Sequence, residues 1–119
     1  MNNNFNIQKL SHLTPNERIA VLEFVQILRE TFGSLIREVI LFGSKARGVQ
    51  SDEADIDILI VLGNISFEIK KAISELAAQE NLKHSVLIST IRYESAAWEN
   101  SLIRQSPFGQ AVRSEGIWL

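Results

Sequence analysis

The chain has 119 residues, of which 45% are hydrophobic, and no apolar run is long enough to cross a bilayer, so one compact soluble domain spanning 1–119 is expected. It has no cysteine, which excludes disulfide staples, thiolate metal sites and cysteine nucleophiles and leaves oxygen ligands with His12 and His84, a donor set suited to a hard ion such as Mg²⁺. A net charge of -2 without a long Lys/Arg block argues against direct nucleic-acid binding, and the N-terminal Met1 to Asn6 has no secretory pattern, so a cytoplasmic location is the default.

In chain order, Thr14-Pro15-Asn16-Glu17 reads as a helix start, with Thr14 as N-cap, Pro15 at the first helical position and Glu17 completing a capping box. The helix is expected to run to about Phe32, with Val21, Phe24, Val25, Leu28 and Phe32 on one face that packs on a sheet. Val39 to Phe42 is predicted as a short buried strand ending at Gly43, and Ile56 to Leu62 as a second, closed by Gly63-Asn64. A second amphipathic helix is predicted from Ser66 to about Glu80, then a third strand from Ser85 to Ile91. Short helices are expected around Trp98 and from Ser106-Pro107 to about Arg113. This order predicts an α/β (α+β) two-layer fold with a small mixed sheet.

Between the first two strands lies the segment of greatest chemical content. Asp55 and Asp57 alternate with Ile56 and Ile58, so both carboxylates project from one face of the strand. At a separation of roughly 6–7 Å and an effective dielectric of about 20 they repel by roughly 2–3 kcal/mol, which calls for a cation. Mg²⁺ meets the need, since it accepts one or two carboxylates together with substrate phosphate oxygens. The plainer alternative is that the two acids only start the strand.

Gly43 lets backbone approach a ligand closely, Ser44 is placed to cap a short helix facing an anion, and Lys45 and Arg47 add positive charge. The alternative here is an ordinary strand-to-helix turn. The order of residues is not that of a Walker A loop.

Taken together, Gly43-Ser44, ten intervening residues and Asp55-x-Asp57, with Ala46-Arg47-Gly48 and Ser51-Asp52 between, resemble the nucleotidyltransferase superfamily of polymerase-β type. The closer resemblance is to MNT-type minimal nucleotidyltransferases, many of them antitoxins paired with HEPN-type toxins. The resemblance implies that Gly43 and Ser44 hold the triphosphate of ATP and that Asp55 and Asp57 bind Mg²⁺ as catalytic ligands. It also implies transfer of AMP to a hydroxyl of a partner toxin, in a hetero-oligomer. One departure stands out: many family enzymes carry a third carboxylate on the next core strand, whereas Ser85 to Ile91 holds no acid and Glu75, Glu80 and Glu94 are expected outside it.

Three functions follow from these expectations. One is a nucleotidyltransferase acting on a partner protein; another is an antitoxin that inhibits by binding alone; the third, transfer to a small molecule, is disfavoured by the lack of an acceptor domain. Elsewhere, His84 is a base or a merely hydrogen-bonded histidine, and Asp52 a metal ligand or an Asx turn. Trp98 is a partner contact or core, and Gly116-Ile117-Trp118-Leu119 a partner surface or a segment packed back on the sheet edge.

Overall fold

A computed structural model describes residues 10–48 and 55–119. The readings given to Ser51 and Asp52 therefore lie outside the described residues. The first long helix, α1 (Pro15–Phe32), opens on the predicted capping box: Glu17 N–H donates to Thr14 Oγ1 at 3.2 Å and Thr14 N–H to Glu17 Oε1 at 2.9 Å. It buries Val21, Phe24 and Leu28 completely, each contributing roughly 1.5–3 kcal/mol of apolar burial. A 3₁₀ turn at Gly33–Leu35 then leads into β1 (Ile36–Phe42), three residues longer at its start than the apolar run predicted, with a register irregularity between Ile36 and Glu38.

After a four-residue helix, α2 (Ser44–Arg47), the chain forms β2 (Ile56–Leu62) over the predicted span. Helix α3 (Phe67–His84) runs one turn beyond its expected end and closes with Ser85 in the left-handed region, φ 54°. That extra turn moves the next strand: β3 is Ile88–Glu94 rather than Ser85–Ile91. The Asn81 side chain fixes the new start by bracketing Ile88, accepting from its N–H at 2.7 Å and donating to its carbonyl at 3.2 Å.

Helices α4 (Ser95–Trp98), α5 (Ser101–Gln105) and α6 (Pro107–Glu115) follow, and Ile117–Trp118 forms β4. The sheet order is β3-β2-β1-β4, with β2/β3 parallel and the other two pairs antiparallel. The terminal segment thus packs on the sheet edge: Leu119 N–H donates to Val39 O at 2.8 Å, and the indole of Trp118 donates to Glu38 at 2.8 Å.

Two cores share this mixed sheet. Ile56, Ile58, Ile60 and Leu62 face α1 and α3, while Leu59 and Val61 face Trp98 and Val112 beneath the C-terminal helices. Trp98 is fully buried and is a core residue, with Tyr93 and Phe108 around it. Among the described residues no helix is long and apolar enough to cross a membrane.

Candidate active site

Three strand ends meet at one margin of the sheet. Because β1 and β2 are antiparallel, Phe42 at the end of β1 pairs with Asp57 near the start of β2; because β2 and β3 are parallel, Ser89 near the start of β3 lies on the other side of Asp57. Asp55 immediately precedes β2 and Gly43 immediately follows β1. The expected convergence of the glycine turn and the carboxylate pair is therefore a product of strand pairing.

The contact between Gly43 and Asp57 is intimate. Gly43 has φ +77°, which L-residues with a side chain rarely adopt, and a Cβ built there would fall on Oδ2 of Asp57. Gly43, rather than Ser44, occupies the N-cap position of α2; Ser44 is the first helical residue, which corrects the expected capping role. The turn is closed by the N–H groups of Ala46 and Arg47, both donating to Gly43 O at 3.1 Å.

Asp57 is partly buried, and its carboxyl is pushed up from the ordinary value chiefly by desolvation, then by the charge of Asp55, with Arg47 opposing both. Asp57 is thus held in a setting that disfavours its ionisation, and it and Asp55 are two hard oxygen donors of a kind that fits a divalent cation such as Mg²⁺. Arg47 is half exposed, its guanidinium 3.6 Å from Glu115.

Lys45 requires a correction. Its side chain is only 3% exposed and its ammonium sits 2.9 Å from Glu17 Oε2, so it is engaged inside the fold rather than presented beside Arg47. Since the other oxygen of Glu17 closes the capping box, one carboxylate couples the start of α1 to the glycine turn.

The adjacent strand bears on catalysis. Ser89 stands in register with Asp57, and the acid that β3 does contain, Glu94, pairs with Leu62 at the opposite end of β2. There Glu94 accepts from Ile65 N–H at 2.9 Å. Glu94 is thus on the strand, contrary to expectation, but remote from the site, and no carboxylate lies abreast of Asp57 on β3. His84 belongs to α3, packed on the sheet face opposite Asp57, and does not join the site.

Comparison with known proteins identifies the family. Residues 21–111 match the family model described as "Nucleotidyltransferase domain". Over 101 residues the chain is 41% identical to "Putative protein adenylyltransferase MJ0604" of Methanocaldococcus jannaschii, covering 85% of this chain and 95% of that protein. A second protein of that organism, "Putative protein adenylyltransferase MJ0141", is 32% identical over 79 residues, covering 62% and 80% of the two chains. Two crystal structures of mutants of the toxin–antitoxin pair MntA–HpeT share the fold, each at a TM-score of 0.55. Their identities are 21% and 16%, with 82% and 81% of this chain covered against 68% of each of theirs. The chain belongs to the nucleotidyltransferase domain family and is a nucleotidyltransferase.

Proposed function

We propose that this nucleotidyltransferase transfers AMP from ATP to a hydroxyl group of a partner protein, and that it does so as the antitoxin of a HEPN-type toxin with which it forms a hetero-oligomer in the cytoplasm. The observation that carries the reading is the Gly43–Asp57 contact, which sets the glycine turn directly against one of the two alternating carboxylates. The adenylyltransferase names of the relatives favour AMP and a protein acceptor, and the toxin–antitoxin pair sharing the fold favours a toxin.

In this reading the whole of residues 1–119 acts as one unit. The Gly43-Ser44 backbone seats the triphosphate, Arg47 adds positive charge at its half-exposed position, and Lys45 holds the turn from beneath through Glu17. Asp55 and Asp57 hold Mg²⁺, which when bound would neutralise charge at the phosphates. The acceptor oxygen forms a bond to the α-phosphorus as the bond to the bridging oxygen of pyrophosphate breaks, and the hydroxyl proton passes to a base. Positioning of the two reactants accounts for most of the acceleration.

The test is transfer of label from α-labelled ATP, with Mg²⁺, to the co-purifying partner. Asp57→Asn is expected to lower transfer by at least about 100-fold while leaving the helical circular dichroism unchanged. Full activity in that variant would overturn the proposal. A second reading, inhibition of the toxin by binding alone, is favoured by Ser89 standing where a third carboxylate would serve as base. It expects Asp55→Ala/Asp57→Ala to protect against the toxin as well as the unaltered protein does.

A further inference from the structure

A second cluster of ligating side chains lies in the helical layer, outside the candidate active site. Glu80 and His84 are one turn apart on α3, and Glu23 faces them from α1. His84 Nε2 is 3.3 Å from Glu23 Oε1 and 3.4 Å from Glu80 Oε2, and the three ligand atoms lie within 4.8 Å of one another. Ligands at roughly 2.0–2.1 Å from a tetrahedral zinc ion are about 3.3 Å apart, so the two short separations already have the edge length of such a site.

The buried acid supplies the independent indication. Glu80 is 2% exposed and its Oε2 makes no hydrogen bond, its ion-pair contact being His84 Nε2 at 3.4 Å within the same cluster, so this buried oxygen is incompletely satisfied. Glu80 also lines a half-open recess of about 110 Å³ with Glu23, Ile27, Leu76, Gln79 and Lys83, which provides a path from solvent. We propose that Glu23, Glu80 and His84 bind a divalent transition ion of the zinc class, through one oxygen of each carboxylate and Nε2 of the imidazole, with water from the recess completing the coordination.

The donor set selects the ion. An imidazole with two carboxylates suits zinc and its neighbours better than magnesium or calcium, which prefer oxygen throughout. Lys83 lies 2.6 Å from Glu23 Oε1, but its side chain is 62% exposed and swings into solvent as the ion takes its place. Burial, then hydrogen bonding to Glu23 and its charge, push the Glu80 carboxyl up, while hydrogen bonding to Lys83 first, then to Glu80 and His84, holds Glu23 down at about 2. A bound cation favours both carboxylates as anions. It would also tie the end of α3 to the middle of α1.

The test uses chelator-treated full-length protein carrying Asp55→Asn/Asp57→Asn, so that the active-site carboxylates do not compete, and Co²⁺ as a spectroscopic probe. One equivalent of Co²⁺ should give the intense visible bands of a tetrahedral site, be displaced by Zn²⁺ and be unaffected by Mg²⁺. Glu80→Gln should weaken binding at least tenfold and His84→Gln should abolish the bands, whereas His12→Gln should leave them intact. Where Glu80→Gln fails to fold, Glu23→Gln on the half-exposed rim replaces it, with a native circular dichroism spectrum required. Absence of saturable binding, or bands that survive His84→Gln, would overturn the site.

Discussion

Asp55 and Asp57 stand at the open margin of β2, whereas Glu23 and Glu80 meet between the helices that cover the other face of the same sheet. Both arrangements bring two carboxylates together, but their surroundings differ. The inner pair has basic groups beside it, with Lys83 and His84 on the same helix end; hydrogen bonding to Lys83 above all favours Glu23 as an anion, whereas burial, with Glu23 nearby, disfavours Glu80 as one. In the outer pair Asp57 has Arg47 as an opposing charge, and burial dominates. The difference teaches that a carboxylate pair left without an adequate internal cation is poised for an external one, whereas a pair with internal partners must release one before it accepts a metal.

The largest effect that would break this comparison is at Gly43. Gly43→Ala forces a side chain into a positive-φ, extended-ψ conformation that is essentially confined to glycine, at about 1–3 kcal/mol, and onto the Asp57 carboxylate. Nucleotide transfer should fall at least about 100-fold and the melting temperature should drop. A Gly43→Ala protein with ordinary activity would mean that the Asp57 position tolerates displacement, and the outer pair would lose its claim to be pre-positioned.

A smaller effect is expected where the two layers are joined. Lys45→Met removes the cation paired with Glu17 and leaves that carboxylate half satisfied by the capping box, so unfolding free energy should fall by about 2–3 kcal/mol in urea titration. Transfer activity measured below the unfolding transition should change far less than in Gly43→Ala. An equal loss of activity with unchanged stability would instead place Lys45 in direct contact with substrate.

The smallest effect, and the one that separates the pairs most sharply, is the response to pH. Asp57 has a folded value raised above 3.8, so its ionisation opposes the ion-free fold; the penalty is absent below 3.8, grows as pH rises through the raised value and persists at neutrality. Glu23 has the opposite sign: its value falls from 4.5 to about 2, so its contribution is complete above 4.5 and is lost as pH drops toward 2. Asp57→Asn should therefore gain stability relative to the unaltered protein as pH rises through the acid range, and Glu23→Gln should lose it. Urea midpoints across pH 2 to 7, without divalent ions, check both signs, and parallel slopes would erase the distinction.

Local chemistry made much of this legible in the sequence. Thr14, Pro15 and Glu17 announced the start of α1, and the β-branched run Ile56 to Leu62 gave β2 over its observed span, because caps and buried central strands depend on neighbours in sequence. The start of β3 was misplaced because Val86 and Leu87 extend the apolar run, while what positions the strand is Asn81 reaching Ile88 across the end of α3. The candidate site was legible as a glycine turn and two alternating acids, but the burial of Lys45 was not, since its partner Glu17 belongs to a helix far earlier in the chain. Glu23, Glu80 and His84 were missed as a group for the same reason. The only local signal was the Glu-His pair one turn apart on α3, which is common on helices with no metal at all.

The absent side chain at Gly43 ties two positions to one fate. While Asp57 is present, any other residue at 43 must displace it; once Asp57 gives way to a small residue, the space opens and only the backbone angle of the turn still favours glycine. Relatives that have abandoned transfer and persist as binding proteins should therefore relax both positions together, so that an alignment of such chains would show the glycine lost chiefly where the aspartate has already gone. The pair would then serve as a marker, readable without an assay, of which members of the family still depend on the carboxylate.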